Sequence, residues 1–428
     1  MKNILFITYH FPPMNGSTST MNFQIVKNLS EKFRVFVLTV NVSEGEVGNT
    51  LLKRLNNNVS IYRSDLGFLH KHYYKKSKEA EKTYNAESKI RVHKRLMKRV
   101  KKIAHNTKER MLLPDPVIDW YPVAIKKIKN IIDDINPDYI ISSASPYTSH
   151  LIGHNISRVY NIPHILYYGD PWVYEQSRKR GFFRFHLEKR IEKKILKHAI
   201  KVYVVTETTR KLYIDKYPIE PSKVDITRSG FDPEDYSYSE SHYNEKLTMI
   251  YGGALNPIHR NPLPFFEAIS TLKDDVKNEI HFKLYTNEVE KYNKLIRERG
   301  LETVIEVKPI IAYENFIKEL VVSDLLILFG NSSSLQIPGK VYDYIGSLTK
   351  ILLINNTSEY INDPTYKLLN SYEENFYSIN ESNEIKNVLY DIHNRWRKKG
   401  LGKNNYKNVE HFTWSRSLTK LIEFIEEH

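Results

Sequence analysis

Short uninterrupted apolar runs alternate along the chain with longer stretches whose apolar positions recur at helical spacing. Apolar runs of this kind predict strands buried on both faces, as in a parallel sheet, and the helical stretches predict the layers covering it. Strands are predicted at Ile4–Thr8, Val35–Val40, Val59–Tyr62, Tyr139–Ser142, Ile165–Tyr168, Val202–Thr206 and Val224–Thr227. Helices fall between them at Thr20–Glu31, Pro122–Ile135, Thr148–Tyr160, Phe183–Lys197 and Thr208–Lys216. Residues 231–246, FDPEDYSYSESHYNEK, are polar and turn-rich and read as an interdomain linker. The alternation then restarts, with strands at Leu247–Tyr251, Ile280–Tyr285, Val304–Val307, Leu325–Phe329 and Ile351–Ile354. Its helices are Pro262–Leu272, Glu288–Arg299, Tyr313–Val322, Pro338–Ser347 and Asn383–Lys399. A last helix, Trp414–Glu427, gathers Leu418, Leu421, Ile422 and Ile425 on one face. The pattern predicts an α/β protein of two facing, doubly wound domains, 1–230 with 413–428 and 247–412, with ligands at the carboxyl ends of the strands.

Composition narrows the chemistry. The chain of 428 residues contains no cysteine, which excludes disulfides, thiolate metal sites, iron–sulfur clusters and cysteine nucleophiles. No apolar run approaches the ~20 residues of a membrane helix. The opening MKNILFITYHFPP is too short for a signal-peptide core and reads as a first strand, which points to a cytoplasmic protein. No G-x-G-x-x-G follows a strand, Gly339-Lys340 lacks the rest of a P-loop, and neither H-E-x-x-H nor G-x-S-x-G occurs.

Charge is unevenly placed. The net charge is +14, yet residues 1–240 carry 41 Lys/Arg against 25 Asp/Glu and residues 241–428 carry 23 against 25. Residues 71–110 alone hold 15 basic and 4 acidic side chains. Clustering of this kind suits a polyanionic partner, or a lysine-rich solvated surface. Within it, residues 89–104 place Val92, Leu96, Val100 and Ile103 on one helical face. Arg91, Lys94, Arg95, Lys98, Arg99, Lys101 and Lys102 surround them. A basic amphipathic helix reads as a binder of an anionic membrane surface, or as a helix packed on the core with a solvated face. Arg178–Lys197 adds a second cluster of 9 basic and 2 acidic residues.

The candidate site gathers at predicted strand ends. After Leu325–Phe329 comes Ile337-Pro338-Gly339-Lys340-Val341-Tyr342-Asp343-Tyr344, with Pro338 suited to the first turn of a helix. A cation at a helix start with a carboxylate one turn deeper fits a nucleoside diphosphate, phosphate on Lys340 and ribose on Asp343; an i,i+3 surface ion pair has the same spacing. Tyr251-Gly252-Gly253 ends a strand in glycines that let backbone approach a ligand, and Arg260 follows on the next loop. Asp170, in Gly169-Asp170-Pro171-Trp172 after another strand, is placed to orient or deprotonate an acceptor hydroxyl, or to cap a turn.

These pieces carry a family resemblance. The strand followed by Phe11-Pro12-Pro13-Met14-Asn15-Gly16, then Asp115…Trp120, Pro137–Ser143, Gly169–Trp172 and Thr206-Glu207 occur in order. Ser229–Asp232, Tyr251–Gly253…Arg260, Pro338…Lys340…Asp343-Tyr344 and Phe412–Trp414 follow. The whole chain resembles a GT-B-fold glycosyltransferase of the retaining family 4 type, found in bacterial capsule, O-antigen and exopolysaccharide assembly. The resemblance implies that Gly16 lets the first loop approach the reaction centre. It also implies a donor site of Gly253, Arg260, Lys340, Asp343 and Tyr344, and catalysis by Asp170, Arg260 and Lys340. Further implications are a UDP-linked sugar donor, no metal or other cofactor, and a closing helix that crosses back to the first domain. The family's two glutamates eight positions apart are replaced by Leu335 and Asp343, and its arginine after the strand-end glycines is Ala254.

The expected partners are a nucleotide sugar, a glycan or lipid-linked acceptor and the inner face of the cytoplasmic membrane, with no nucleic acid. Two other readings fit part of the sequence: a non-catalytic GT-B scaffold in a polysaccharide assembly complex, and a basic nucleic-acid-binding protein. The near-neutral second half around Lys340 and Asp343 favours the enzyme over the latter.

Overall fold

A computed structural model describes residues 1–14, 16–41, 47–68, 112–175, 180–238, 244–255, 260–330, 337–356, 358, 360–372 and 374–428. The chain divides into two units, Met1–Ile226 and Thr227–His428. In the first, seven parallel strands lie in the order β3-β2-β1-β4-β5-β6-β7. They are β1 (Asn3–Ile7), β2 (Arg34–Val40), β3 (Val59–Ser64), β4 (Tyr139–Ala144), β5 (His164–Tyr168), β6 (Lys201–Val204) and β7 (Val224–Ile226). The central strands β4 and β5 are buried along their whole length, as a sheet covered on both faces requires.

The second unit repeats the plan with six parallel strands in the order β10-β9-β8-β11-β12-β13. These are β8 (Leu247–Gly252), β9 (Ile280–Tyr285), β10 (Ile305–Lys308), β11 (Leu325–Phe329), β12 (Lys350–Asn355) and β13 (Phe376–Ile379). In each unit the strand order reverses beside the first strand, between β1 and β4 and between β8 and β11. The carboxyl ends of the strands beside such a reversal are the place where doubly wound sheets bind ligands. Two separate apolar clusters sandwich the second sheet, one including Phe265, Phe282 and Leu389, the other Ile317, Val341 and Ile345.

The predicted strands are all present, with ends shifted by at most two residues. Strand β13 was not foreseen, because its four residues Phe-Tyr-Ser-Ile form a short, half-buried edge with no apolar run. The stretch 122–135 is two helices, Trp120–Lys129 and Ile132–Ile135, the second ended by Asn136 in the left-handed region (φ 42°). The closing stretch also breaks, at Leu418, into Trp414–Ser417 and Thr419–Glu427; Leu418, Leu421 and Ile425 are buried as expected.

Residues 413–428, assigned from sequence to the first domain, group with the second unit. The Phe231 N–H donates to the Phe412 carbonyl (3.1 Å) and the Trp414 N–H donates to the Phe231 carbonyl (3.0 Å), which fastens the start of this unit to its end. Phe231 and Tyr236, in the segment read as linker, are buried in the second unit's core. Among the described residues no helix is long and apolar enough to cross a membrane. The basic segment 89–104 lies outside the described residues.

Candidate functional site

The second unit brings its predicted site residues together beside the β8/β11 reversal. Strand β8 ends at Gly252, and the chain leaving β11 returns as the helix Lys340–Gly346. This helix begins two residues later than the sequence suggested. The Val341 N–H donates to the Pro338 carbonyl (2.9 Å) and the Tyr342 N–H to the Gly339 carbonyl (3.1 Å), a tight three-residue closure that makes Lys340 the first residue of the regular helix.

The Lys340 ammonium reaches back to the end of β8. It donates to the Gly252 carbonyl at 2.6 Å and to Tyr251 Oη at 3.2 Å, and stands 4.3 Å from the Tyr251 ring centre. The Tyr251 hydroxyl donates onward to the Ala254 carbonyl (3.0 Å). Gly253 has φ +132°, and a Cβ there would collide with Lys340 Nζ. Burial, then the neighbouring Arg260 charge, pushes the Lys340 ammonium down to about 7, against a smaller upward pull from Asp343. Two cations therefore crowd a weakly solvated strand end, an arrangement that an arriving anion relieves.

Asp343 lies one turn further along the helix. Its Oδ1 accepts from the Tyr313 hydroxyl (2.9 Å), and the same hydroxyl stands 3.4 Å from Asp235 Oδ2. Burial raises the Asp343 carboxyl to about 7, with Asp235 adding to the rise and the Tyr313 bond and Lys340 opposing it. Tyr344 is fully buried beside Tyr251 and contributes apolar packing and a phenol raised by burial. Tyr236 and Tyr238 back the helix: their hydroxyls donate to the Asp343 carbonyl (3.0 Å) and the Gly346 carbonyl (2.8 Å). Sequence reasoning missed Tyr313, Asp235 and Tyr236. The two at 235 and 236 sit in the segment taken for linker, where only the aromatic-acidic repeat set them apart. Position 335 lies outside the described residues.

In the first unit, Gly16 precedes the helix Ser17–Leu29 with φ 129°, and Asp170 is half-buried just beyond β5. The loop after β1 is fixed by Asn22, whose amide donates to Thr8 Oγ1 (2.7 Å) and the His10 carbonyl (2.8 Å) and whose Oδ1 accepts from Ser143 (2.6 Å). The Asp170 loop is held from beneath. Trp172 stacks on Tyr147 (5.0 Å, 7°), and the Tyr147 hydroxyl donates to the Pro171 carbonyl (3.0 Å). The Val173 N–H donates to Glu192 Oε2 (3.2 Å), and the Trp172 N–H donates to Tyr213 Oη (3.2 Å).

Glu192 is fully buried and also accepts from the Tyr213 and Tyr217 hydroxyls; burial raises it to about 7 against those bonds. Glu188, on the same helix (Phe182–His198), pairs with Arg180 Nε (2.8 Å) and Arg184 Nε (2.6 Å). Two cations of the predicted basic cluster are thus turned into the fold. Asp115 anchors the start of the helix Thr148–Tyr160 by accepting from the Thr148 N–H (2.9 Å) and hydroxyl (2.7 Å). Among the described residues no three His, Asp or Glu side chains converge as a metal site.

Residues 82–235 match the family model of Glycosyltransferase Family 4. No curated protein is matched by sequence. Among solved structures the chain is similar to sucrose-phosphate synthase from Thermosynechococcus elongatus, at 12% identity and TM-score 0.67 over 100% of this chain and 99% of that one. It is similar to HepE of Anabaena in complex with UDP and glucose, at 12% identity and TM-score 0.63 over 100% of both chains. It is also similar to WaaG, a glycosyltransferase involved in lipopolysaccharide biosynthesis, at 11% identity and TM-score 0.58 over 99% of this chain and 98% of that one. At such identities the likeness is one of fold, and it spans both units. The chain has the GT-B fold, and within it residues 82–235 match the Glycosyltransferase Family 4 model.

Proposed function

We propose that the protein transfers a sugar from a nucleotide-sugar donor, UDP-linked, to a hydroxyl of a glycan or lipid-linked acceptor in bacterial surface-polysaccharide assembly, at the cytoplasmic face of the membrane. The observation that carries this reading is the meeting of Lys340, Arg260 and the Gly252-Gly253 strand end at the sheet reversal. The Anabaena HepE structures with UDP and UDP-glucose support the donor class.

In this mechanism the bond between the sugar C1 and the β-phosphate oxygen breaks and UDP leaves with the electron pair. The acceptor oxygen forms the new bond to C1 and gives up its proton. Negative charge builds on the leaving diphosphate, where fixed cations already in place stabilise it without reorganising. Lys340 and Arg260 supply that charge. A phosphate beside Lys340 offsets the repulsion from Arg260 and returns the amine to its charged form. Asp170 orients the acceptor hydroxyl or takes its proton.

A thermal-shift panel with UDP, GDP, CMP and dTDP on the wild type and Asp343→Ala tests the reading. A nucleotide at 100 times its Kd adds about 2.7 kcal/mol to the native state. UDP is expected to raise the wild-type midpoint and to leave Asp343→Ala unmoved. No shift with any nucleotide, with or without acceptor glycan, sinks the proposal.

A further inference from the structure

The segment that carries Asp170 is irregular backbone, yet it runs into the interior: Pro171, Trp172 and Val173, between β5 and the helix Phe182–His198, are all buried. Buried peptide groups outside strands and helices need partners from side chains or water. Here side chains supply them one after another. Pro171 has no N–H, and its carbonyl accepts from the Tyr147 hydroxyl (3.0 Å). The Trp172 N–H donates to Tyr213 Oη (3.2 Å), and the Trp172 carbonyl accepts from Arg180 Nη2 (2.6 Å). The Val173 N–H donates to Glu192 Oε2 (3.2 Å). On the other side of Asp170, the Gly169 N–H donates to the Ala144 carbonyl at the end of β4 (3.1 Å). Asp170 is therefore strung between two fixed points, and the proline after it disfavours helical backbone at its own position.

Two of these partners depend on each other. A tyrosine hydroxyl both donates and accepts, and Tyr213 is turned to accept from Trp172 because its own proton goes to Glu192 Oε1 (2.7 Å). Glu192 takes the Val173 N–H on its other oxygen, where the Tyr217 hydroxyl also donates. One carboxylate thus sets the direction of two consecutive peptide N–H groups. Glu192 and Tyr213 are both fully buried. Replacing a buried charge of this kind with apolar side chains of similar volume is often neutral or stabilising, so its presence here speaks for geometry rather than for stability.

We propose that Glu192, with Tyr213, is a positioning residue for glycosyl transfer: it holds the Trp172 and Val173 peptides so that the Asp170 carboxylate stands where it meets the acceptor hydroxyl. The inference rests on the transfer reading and on the role given there to Asp170, and it adds that the aim of Asp170 is set from beneath its loop. A catalytic group displaced by about 1 Å loses about a hundredfold in rate.

Two substitutions of nearly unchanged volume probe the clamp. Glu192→Gln leaves one acceptor oxygen, which cannot serve both the Val173 N–H and the Tyr213 hydroxyl. Tyr213→Phe takes the acceptor away from the Trp172 N–H. Each is made in the wild type and in Asp170→Asn, and melting curves check the fold. Assays run at about pH 8, above the value of about 7 to which burial raises Glu192, so that its carboxylate form is tested.

Hydrogen exchange is expected to quicken over residues 172–175 while β5 and β6 keep their protection. UDP release from UDP-glucose, with water as the acceptor, is expected to fall about tenfold to a hundredfold in each single variant, with KM for UDP-glucose unchanged. In Asp170→Asn the same substitutions are expected to cost nothing more, as for residues that act through one group. Unchanged exchange over 172–175 overturns the clamp. A full second loss in Asp170→Asn overturns the positioning role, because the damage then bypasses Asp170, and normal turnover with quickened exchange overturns it too. A wild type that releases no UDP overturns the transfer reading, and the positioning role with it, while the exchange data still report on the clamp alone.

Discussion

The ammonium of Lys340 occupies the space that a side chain on Gly253 would need. The strand end and the helix start are thereby interlocked: one supplies the carbonyl that holds the ammonium, the other the cation that excludes a Cβ.

Gly253→Ala is therefore expected to carry two penalties. An alanine at φ +132° costs about 1–3 kcal/mol of backbone strain, and its methyl group displaces the ammonium. Gly300→Ala makes the comparison, since that glycine also has positive φ (+62°) but faces open space. Both variants should melt earlier, and only Gly253→Ala should lose its response to UDP. A full UDP shift in Gly253→Ala would show that the interlock does not serve the ligand.

Lys340→Ala removes the cation itself. Loss of one preorganised charge at a developing anion lowers turnover by about 10²–10³-fold. Assay of the folded variant with UDP-sugar and acceptor checks this, and near-normal turnover rejects the role.

Glu192 gives stability a pH dependence. Its carboxyl is raised to about 7 in the fold against 4.5 in the open chain. Between those values the native state keeps a proton that the unfolded chain has lost, so this group's stabilisation is complete below 4.5 and fades as pH rises to about 7. Asp343, raised to about 7, slopes the same way, whereas Lys340, lowered to about 7, slopes the other way above it. Glu192→Gln should flatten the fall in urea midpoint between about pH 5 and 7. An unchanged slope would mean that Glu192 ionises normally.

Glu188→Ala removes the carboxylate between two guanidinium groups, leaving Arg180 with the Glu175 and Trp172 carbonyls and Arg184 with those of Leu112 and Pro114. The Glu188 side chain is 1% exposed, and those of Arg180 and Arg184 are 5% and 20% exposed. Breaking such a buried set costs about 3–5 kcal/mol, which equilibrium unfolding in urea would register. A loss below about 1 kcal/mol would class the cluster with ordinary surface pairs.

Much of the fold was legible in the sequence because the central strands are buried on both faces and therefore lack polar interruptions. Ile280–Tyr285, Leu325–Phe329 and Thr148–Tyr160 have the predicted ends. Edge elements were not legible: β13 carries no such run. Nor were residues whose role is fixed by a distant partner. Glu188 and Glu192 looked like isolated acids in a lysine-rich surface helix, yet with Ile195 and Leu196 they form its buried face. The i, i+4, i+7, i+8 spacing was there to be read, but charge counting obscured it. Lys340 and Asp343 were legible as a pair, and Tyr251-Gly252-Gly253 as a strand end of the same site; Tyr313, the anchor of Asp343, was not, since it arrives from another helix.

Residues 227–238 do more than lead into the second unit. The rings of Phe231 and Tyr236 fill the space beside Gly346, where a Cβ would strike both, and the hydroxyls of Tyr236 and Tyr238 hold carbonyls of the Lys340–Gly346 helix. Anyone excising this half for separate study would find that the cut point decides the result. A fragment starting at Thr227 keeps the buttress and should retain its nucleotide response in a melting assay. One starting at Leu247, the first residue of β8, loses the buttress and that response together.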